Sequence, residues 1–558
     1  MLRTRPHLRA GLIAVVLLLL LPCLASAAGI SFRVTQADAG KEETVQTVYT
    51  YQKSKLVSYL FLPSGWDTAS LRVWTDSASL SIDGQAVRDG DTVTCLQPGA
   101  SVKLRQGKTS TKLIVMQTSS VPSVFLTTAS GSLDYIHKKK TNEETGSVQI
   151  LQSDGTVAVS SELPSLRCRG NSSFTLTKKK CYQFKLEKSQ SVLGMRKGKT
   201  WILTAGFRDR GLIRNKLVYD MAKYVGMPYA IDACLVDLYI NGEYRGVYTL
   251  SEKIQIGGNR LDITDLEKAT QDVNVLDLSS YTKVGPTKAT AGKGYYYDIP
   301  TDPDDITGGY LIRNEAISHY WETGSCYVTT RKALIQVCEP DYITKAQYDY
   351  ISSLVQSFED AIHASDGVDP KTGKHYTEIA DLQSFVLKYM LEETAKSYDG
   401  NHNSQYMYKP ADSVSTKLYA GPAWDYDTTF GAFASRNKKA ALYSHYFWVD
   451  RKVSGSWYYA LCRQSDFQAA VRVAWKERFR PAMDILLGRE TDPTGTLLSV
   501  DEYADTIAAS AAMDDIRWPE LVKLTREAKA SSSFSVNISR LKDFIASRRD
   551  WLDTQWGK

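Results

Sequence analysis

The sequence predicts an α+β protein in which a β-sandwich module precedes a sheet-rich lobe and then a helix-rich lobe. Three observations predict this order: closely spaced strand patterns near the start, strands around one helix and a hairpin in the middle, and helical apolar spacing towards the end. Of the 558 residues, 43% are hydrophobic and 23% are charged, which is close to globular averages. This composition excludes disordered, collagen-like and coiled-coil proteins.

Residues 1–27 have the pattern of a secretory signal peptide. Three arginines lie among the first nine residues, an apolar stretch follows at residues 12–21, and residues 25–27 form an A-x-A cleavage motif. The apolar stretch is shorter than the roughly 20 residues that a membrane-spanning helix needs. We therefore expect an exported protein with no transmembrane anchor in its mature form.

The formal net charge of +6 does not indicate nucleic-acid binding. The three arginines of the signal segment supply half of this charge. The small excess that is left gives no electrostatic basis for holding a phosphate backbone. We expect no nucleic-acid partner.

The β-sandwich module is predicted over residues 28–118. Short runs rich in β-branched and aromatic residues alternate there with Gly, Pro, Asp and Ser, which is typical of a sandwich. The strand-like runs are residues 45–51, 56–62, 71–74 and 102–104. No group of catalytic residue types lies in this module, so a spacer or binding role is expected.

The sheet-rich lobe is predicted over about residues 119–260. Its strand-like runs are residues 182–186, 200–204, 236–240 and 244–250. Residues 212–224 have helical spacing, with apolar side chains on one face. Asn241 and Gly242 separate the last two runs and predict a tight hairpin, because both residues tolerate positive φ.

The helix-rich lobe is predicted over about residues 305–558. Thr344 and Gln347 form a capping box at the start of one amphipathic helix. Residues 382–396 form a second helix with apolar residues on its inner face. Helical spacing returns from about residue 460 and continues to the end of the chain.

Seven cysteines follow the signal segment, an odd number without any C-x-x-C pair, and this argues against a zinc knuckle. Cys326 and Cys338 flank a hairpin-like stretch and could form a disulfide in an oxidising compartment. The alternative is that both are isolated buried thiols.

Several familiar catalytic motifs do not fit. Residues 194–200 resemble a phosphate-binding loop, but three residues separate the glycines where that loop needs four. A strand is also predicted to follow, whereas a phosphate-binding loop opens a helix. No G-x-S-x-G or H-E-x-x-H motif is present, and His402 has no partner at triad or ligand spacing.

A hairpin is predicted between two segments that carry aspartates. Its strands are expected at residues 405–409 and 417–424, with a turn at residues 410–415. Centring the hairpin near Asp412 defines which residues of the two strands face each other. The segments beyond its open end would then lie side by side.

Three aspartates are expected to meet at this open end. Asp399 would lie opposite Asp425, and directly opposed residues approach within about 5 Å. Strand alternation would place Asp427 on the same side as Asp425. Carboxylates so close repel each other, and a divalent cation or a shared proton is the usual remedy. The alternative is that these aspartates only cap turns.

The same order of helix, aspartate loop, short hairpin and aspartate near Phe-Gly occurs in protein kinases. There the first aspartate receives the proton of the substrate hydroxyl, and the second holds magnesium against the phosphates. Ser404 lies five residues after Asp399, where kinases have a metal-binding asparagine. Serine can bind magnesium, but more weakly.

Together with further blocks, this region resembles the CotH kinase family, secreted or spore-coat proteins with an atypical protein-kinase fold. The blocks, in the family's order, are residues 169–173, 193–195, 212–217, 241–248, 252–253, 308–311 and 421–427. The resemblance covers about residues 121–556 and leaves the β-sandwich module outside. It implies an atypical two-lobed, protein-kinase-like fold for residues 119–558.

The resemblance also implies a secreted kinase that phosphorylates serine in a protein, using ATP and either Mg²⁺ or Mn²⁺. Asp399 corresponds to the catalytic-loop carboxylate and Asp425 to the metal ligand. Asp427 would assist the metal site, and Ser404 would be a weaker ligand. The implied partner is a cell-surface or spore-coat protein.

Phosphate-binding residues are expected in the sheet-rich lobe. Lys185 is the candidate lysine for pairing with phosphates, unless it is simply a solvated strand residue. Its rivals are Lys180, Lys188 and Lys216. Arg169 and Asn171 belong to a segment that could cradle phosphate through backbone N–H groups, or could form only a structural turn.

Two other functions remain open on the sequence alone. The chain could be a non-catalytic surface or spore-coat protein that keeps the fold and binds through its β-sandwich module. It could also be a glycoside hydrolase, because two carboxylates about 5–5.5 Å apart suit a retaining mechanism. An aromatic content of 11% would suit stacking on sugars.

Overall fold

The computed structural model of the chain describes residues 29–37, 43–52, 55–400, 403–432, 442–446, 457–523 and 533–558. The predicted signal segment and His402 lie outside these described residues. Helices and strands are mixed along the described chain, with several sheets and one closed barrel. The α+β class is therefore confirmed, while the two-lobed kinase-like arrangement stays a prediction.

The chain divides into two compact units. Among the described residues, the first unit contains 29–37, 45–60 and 68–116, and the second contains 43–44, 61–67 and the described chain from 117 onward. The predicted domain limits at residues 28, 118 and 260 stay predictions.

The first unit is built mainly from ten strands in two sheets. They are β1 (Arg33–Gln36), β2 (Val45–Gln46), β3 (Val48–Gln52), β4 (Lys55–Leu62), β5 (Leu71–Trp74), β6 (Leu80–Ile82), β7 (Gln85–Ala86), β8 (Thr92–Val93), β9 (Ser101–Gln106) and β10 (Thr109–Gln117). The sheet orders are β2-β1-β5-β8 and β3-β4-β10-β9-β6-β7. The single strand predicted at residues 45–51 is wrong, because the chain passes from one sheet to the other at Thr47.

The second unit begins with a closed seven-stranded barrel. Its strands are β11 (Ser123–Thr128), β12 (Glu143–Leu151), β13 (Val157–Arg169), β14 (Cys181–Gln190), β15 (Gly198–Thr204), β16 (Ala233–Ile240) and β17 (Glu243–Glu252). Their order is β11-β12-β13-β14-β15-β17-β16, and a parallel pairing of β11 with β16 closes the ring. Large side chains such as Leu166, Phe184 and Trp201 fill the barrel core and are fully buried.

Three helices accompany the barrel: α1 (Asp134–Lys138), α2 (Ser172–Thr175) and α3 (Arg214–Tyr224). The predicted hairpin is confirmed, since Asn241 and Gly242 join β16 to β17 with φ values of +52° and +82°. Helix α3 begins two residues later than predicted. Leu212 has a φ of +59°, a left-handed conformation that cannot continue into a right-handed helix.

A seven-stranded sheet and nine helices form the rest of the described second unit. The strands are β18 (Lys283–Val284), β19 (Lys293–Tyr297), β20 (Tyr310–Glu315), β21 (Ser325–Val328), β22 (Leu334–Glu339), β23 (Gln405–Lys409) and β24 (Tyr419–Ala420). The helices are α4 (Leu266–Asp272), α5 (Lys345–His363), α6 (Tyr376–Ile379), α7 (Leu382–Ala395), α8 (Trp457–Leu461), α9 (Ser465–Ala474), α10 (Arg480–Leu486), α11 (Val500–Arg517) and α12 (Phe534–Trp556).

The predicted capping box at the start of α5 is confirmed. The Thr344 hydroxyl accepts the Gln347 N–H at 3.1 Å, and the Gln347 side chain accepts the Thr344 N–H at 3.4 Å. Helix α7 is buried along nearly its whole length, in a core that also includes α3, α5, α9 and α12. This burial fixes the helix from which the Asp399 loop departs.

All seven cysteines of the described chain are free thiols. Cys326 lies opposite Gln336 in the pairing of β21 with β22, so Cys338 is not its cross-strand neighbour. The structure therefore has no disulfide between Cys326 and Cys338, and both are isolated thiols. Among the described helices, none is long and apolar enough to cross a membrane.

A buried ion pair joins the barrel to α11. Lys179 Nζ donates to Asp514 Oδ1 at 2.5 Å and to the Val247 carbonyl at 2.9 Å. The same Asp514 oxygen accepts the Val247 N–H at 3.0 Å. Both charged side chains are fully excluded from solvent, so breaking this pair is costly. Arg210 Nη1 also lies 3.7 Å from the second Asp514 oxygen, Oδ2.

We expect Lys179→Met to lower the free energy of unfolding by about 3–5 kcal/mol, because the buried Asp514 carboxylate would lose its closest cationic partner and keep the more distant Arg210. Urea denaturation of the mature chain measures this change. Lys178→Met is the matched control, since Lys178 is exposed and surface substitutions usually change stability by less than about 0.5 kcal/mol. Equal stability of the two variants would contradict the role of the ion pair.

A second buried acid, Asp237 on β16, is stabilised by hydroxyl groups. It accepts the Tyr244 hydroxyl at 2.8 Å and the Ser510 hydroxyl at 2.7 Å. Burial raises the pKa of Asp237 to about 7, although these hydrogen bonds lower it. The folded protein therefore binds this proton more tightly than the unfolded chain does. The resulting stabilisation is complete below about pH 4 and is lost as the pH rises to about 7.

We expect Asp237→Asn to remove this pH dependence. Relative to the wild type, the free energy of unfolding of the variant should rise between about pH 4 and 7, by at most about 1.4 kcal/mol per pH unit. Urea denaturation of both proteins across this range gives the difference. Parallel stability curves would show that Asp237 does not titrate in the folded protein.

Candidate active site

A cavity of about 480 Å³ lies within the second unit and brings together residues that are far apart in the sequence. One side is formed by residues 169–173 and by the loop that follows β15. The other side is formed by the end of β20, the loop that follows α7 and the segment at 424–427. The volume is typical of a small-molecule site.

All three predicted aspartates line this cavity, as do Arg169, Asn171 and Ser404. The sequence thus correctly predicted that the segments carrying Asp399 and Asp425 meet, although the hairpin register used for this prediction was wrong. The structure also brings in residues that the sequence analysis did not select. They are Lys140, Arg208, Arg313, Glu315, His319 and Asn403.

The hairpin differs from its prediction in register and length. Met407 lies opposite Ala420, three residues away from the expected pairing, and β24 contains only two residues. The wider loop is stabilised by the buried Lys409, whose Nζ donates to the carbonyls of Pro410 at 2.6 Å and Ser415 at 3.0 Å. The alternation of polar and apolar residues does not show that Lys409 is buried and binds the turn. The turn predicted from the sequence was therefore too short.

Asp399 is positioned by the loop that contains it. Helix α7 ends at Ala395. The next residue, Lys396, has a φ of +49°, and the chain then turns towards the cavity. Asn403 Nδ2 donates to Asp399 Oδ1 at 3.3 Å, and Asn403 Oδ1 accepts the Ala316 N–H at 3.0 Å. Asn403 therefore links the Asp399 carboxyl group to the chain beyond β20.

Asp425 and Asp427 lie outside the strands, so the strand alternation that was used to place them on one side does not apply. The φ of Asp425 is +70°, an uncommon left-handed conformation for a residue with a side chain. Helix α3 holds this segment, because Asn215 Oδ1 accepts the Tyr426 N–H at 2.7 Å and the Tyr219 hydroxyl accepts the Asp425 N–H at 3.4 Å. Local strain that the surroundings enforce is common at functional sites.

Ser404 lies against Asp425. Its hydroxyl donates to Asp425 Oδ2 at 3.5 Å, and its own φ is +57°. The two segments that carry Asp399 and Asp425 are thus in side-chain contact at the cavity wall.

Glu392 on α7 connects both aspartate segments from behind. The Tyr426 hydroxyl donates to Glu392 Oε1 at 2.5 Å, Gln405 Nε2 donates to it at 3.3 Å, and Lys388 forms an ion pair with it. A β carbon at Gly400 would lie 2.1 Å from Glu392 Oε2. This fully buried glutamate therefore holds Gln405, which follows the Asp399 loop, and Tyr426 to one helix.

The pKa values of the three aspartates are all raised. Burial is the largest cause for each, and repulsion between the carboxylates adds to it for Asp425 and Asp427. Arg208 lowers the pKa of all three, and Arg169 lowers that of Asp425. The carboxyl groups keep partial access to the cavity. Such a cluster would gain from a bound cation.

The cavity fits a magnesium ion that arrives with phosphate. Among the described residues, no group of three His, Cys, Asp or Glu side chains is arranged to hold a metal ion. Mg²⁺ commonly binds through one or two carboxylates and completes its shell with phosphate oxygens and water. Asp425 and Asp427 could supply the carboxylates, and the Ser404 hydroxyl lies beside them.

Basic side chains also line the cavity. The Arg169 guanidinium lies 5.1 Å from the centre of the Trp424 ring, and Lys140 Nζ donates to Asn171 Oδ1 at 2.5 Å. Arg208 follows β15 and has only 9% of its surface exposed. The one sequence signal for Arg208 is the charged triplet at residues 208–210, between a predicted strand and a predicted helix.

Lys185 does not line the cavity. Phe184 and Leu186 are buried in the barrel core, so the alternation of β14 turns Lys185 outward to solvent. None of its rivals lines the cavity either; Lys216, for example, forms an ion pair with Asp220. Its position therefore does not support Lys185 as the phosphate-binding lysine.

We expect Tyr426→Phe to lower the free energy of unfolding by about 1–3 kcal/mol, because Glu392 would lose a buried hydrogen bond to its carboxylate. Chemical denaturation measures the loss. Tyr135→Phe is the matched control, since the Tyr135 side chain is 54% exposed. A loss no larger than in the control would mean that Glu392 does not depend on Tyr426.

A family model described as CotH kinase protein matches residues 166–552. The match includes every residue assigned above to the aspartate cluster and begins just before Arg169. No curated protein matches the chain. Because the matched residues make up more than two thirds of the sequence, the chain belongs to the CotH kinase family.

Proposed function

We propose that the chain is a secreted protein kinase that transfers the terminal phosphoryl group of ATP to serine in a surface or spore-coat protein. Mg²⁺ or Mn²⁺ would be required. The observation that carries this proposal is the cavity that Asp399, Asp425 and Asp427 line together with Arg169 and Arg208. Acidic ligands for a metal and fixed cations for phosphate are the two features that phosphoryl transfer requires.

In this proposal Asp399 accepts the proton of the serine hydroxyl. The acceptor oxygen forms a bond to the terminal phosphorus, while the bond from that phosphorus to the bridging oxygen breaks. The electron pair of the broken bond leaves with ADP, and the hydroxyl proton goes to Asp399. Support comes from the hydrogen bond that orients Asp399 through Asn403, and from a pKa raised by burial, which makes the carboxylate a better base.

Asp425 and Asp427 are the proposed metal ligands, with Ser404 as a weaker third donor. When bound, the divalent ion would neutralise charge on the phosphates and orient them for transfer. Support comes from carboxylate repulsion, which raises the pKa of Asp425 through Asp399 and that of Asp427 through Asp425, and which a cation would relieve. The fixed backbone of this segment, held by Asn215 and Tyr219, keeps the ligands in place without a metal.

Arg169 and Asn171, at and just after the end of barrel strand β13, are the proposed phosphate contacts. Both line the cavity next to Lys140, which is already hydrogen-bonded to Asn171. We also propose that residues 1–27 direct export and that the module at residues 28–118 binds a surface or acts as a spacer.

We expect Asp399→Asn to lower phosphoryl transfer at least about 100-fold while nucleotide binding persists, because only the proton acceptor is lost. Asp425→Asn should abolish both transfer and the magnesium-dependent stabilisation by ATP. Transfer is measured with labelled ATP and Mn²⁺ as autophosphorylation of the purified mature chain. Binding is measured as the rise in melting temperature with ATP and Mg²⁺.

Asp272→Asn is the matched control, because Asp272 lies on the surface of α4 with 59% of its side chain exposed. It should behave as the wild type in both assays. A wild-type protein that neither binds ATP with metal nor transfers phosphate would overturn the proposal and favour a binding protein. Glycoside cleavage without ATP or metal would favour a hydrolase.

A further inference from the structure

Lys140 is a cavity residue without a part in the proposed reaction. It ends a run of one histidine and three lysines, residues 137–140, at the end of α1 and in the turn before β12. Such charge runs are usually solvated faces, and Lys138 and Lys139 are exposed in this way. Lys140 is only partly exposed, and it is the one lysine among the described residues that line the cavity.

The turn that carries Lys140 is fixed to the barrel. A ring nitrogen of His137 is hydrogen-bonded to the Tyr182 hydroxyl on β14 at 3.0 Å. The Asn142 N–H donates to the Lys139 carbonyl at 3.0 Å and closes the turn around Lys140. The backbone therefore holds the Lys140 side chain at one place on the cavity wall.

Lys140 also orients the side-chain amide of Asn171. Its Nζ donates to Asn171 Oδ1 at 2.5 Å. The amide oxygen is the end of this side chain that would repel a phosphate, and here it already binds the ammonium group. The Nδ2 end carries two N–H donors, and an ammonium group that makes one hydrogen bond keeps two further donors. The pair of side chains therefore offers donors to a ligand in the cavity.

Arg313 lines the same cavity, but its charge is matched within the protein. Its Nε lies 3.1 Å from Glu315 Oε2, and its other nitrogens donate to the Tyr406 hydroxyl at 3.2 Å and to Gln336 Oε1 at 2.6 Å. The Lys140 ammonium group has a neutral amide as its partner. Of these two cations, Lys140 is therefore better placed to bind an anion.

Arg169 and Arg208 are the other two cations of the cavity, and each lies against an aromatic ring. The Arg169 guanidinium is 5.1 Å from the centre of the Trp424 ring, and the Arg208 guanidinium is 5.1 Å from that of Phe207. Lysine differs from both, because it carries a compact point charge on a flexible four-carbon stem. Lys140 therefore adds an adjustable charge to the planar groups of the two arginines.

We propose that Lys140 binds the phosphate chain of the nucleotide, with Asn171 Nδ2 beside it. The inference rests on the proposed kinase function. Lysine is a recurring phosphate ligand at sites of phosphoryl transfer, where it acts as a point charge. Lys140 thus takes the role for which Lys185 was the candidate. It lies before residues 166–552, which match the family model, so this contact is a feature of the chain outside the matched region.

The position of Lys140 also indicates which phosphates it contacts. The terminal phosphate is proposed to lie with the metal at Asp399, Asp425 and Asp427, whereas Lys140 is hydrogen-bonded to Asn171. We therefore assign Lys140 to the phosphates that ADP and ATP share.

The test measures dissociation constants of the mature chain by calorimetry with Mg²⁺, for ADP and for the non-hydrolysable β,γ-imido analogue of ATP. Lys140→Met keeps the length of the side chain and removes its charge. We expect it to weaken both ligands about ten- to 100-fold, the loss of a charge-assisted hydrogen bond. Lys139→Met is the matched control, because Lys139 is exposed in the same turn, and it should bind both ligands as the wild type does.

A second measurement uses the wild-type protein and so does not depend on the folding of a variant. Lysines of the mature chain are acetylated with limiting N-hydroxysuccinimidyl acetate, and each site is followed by peptide mass spectrometry. We expect the ATP analogue with Mg²⁺ to slow acetylation of Lys140, because its ammonium group would be covered by phosphate. Acetylation of Lys138 and Lys139 should not change.

The outcomes separate the inference from the function on which it rests. Wild-type affinity of a folded Lys140→Met protein for both nucleotides, or acetylation of Lys140 that the analogue leaves unchanged, would overturn the role of Lys140 and leave the kinase proposal standing. Weaker binding of the analogue alone would contradict the assignment to shared phosphates. A wild-type protein that binds neither nucleotide would overturn both proposals. Parallel weakening of the two ligands, together with protection of Lys140, supports the inference.

Discussion

The cavity is governed by the cost of keeping several carboxyl groups close together with little water around them. Burial raises the pKa values of Asp399, Asp425 and Asp427, repulsion between the carboxylates raises those of Asp425 and Asp427 further, and Arg169 and Arg208 counteract these effects only in part. Such an arrangement is complementary to a ligand that carries both kinds of charge. A metal ion would satisfy the carboxylates, and phosphate would satisfy the arginines.

The geometry of the cluster is set by side chains that lie behind it. Glu392 holds the two aspartate segments to α7, Asn215 holds one of them to α3, and Asp209 joins the Arg208 loop to the same assembly. Each of these groups is buried and accepts several hydrogen bonds. A charge buried in this way is expensive to leave unpaired, so the supporting network resists displacement.

The sequence predicted the features that short-range chemistry decides. Asn241 and Gly242 dictate a hairpin through their tolerance of positive φ, and the capping box of Thr344 with Gln347 marks the start of α5 wherever it packs. The aspartate cluster could be predicted because its two segments flank a hairpin. The predicted register was wrong by three residues, but the prediction that the two segments meet was correct, because both leave the same end of that hairpin.

The features that escaped prediction depend on contacts between distant parts of the chain. The left-handed backbone at Asp425 is imposed by α3, more than 200 residues earlier in the sequence. Arg208 lines the cavity from the loop that follows β15, and no spacing rule connects residue 208 with residue 425. Lys185 was the candidate for phosphate binding because it lies on a predicted strand. Its neighbours Phe184 and Leu186 are buried in the barrel core, so its own side chain points outward to solvent.

Gly400 illustrates how far the requirements of the cluster extend. It has no side chain to offer a ligand, yet the space where a side chain would begin is occupied by Glu392. A larger residue there would push Glu392 away from Tyr426 and so disturb the opposite wall of the cavity. Substitutions at position 400 should therefore be tolerated as poorly as substitutions of a catalytic residue, solely because there is no space for a side chain.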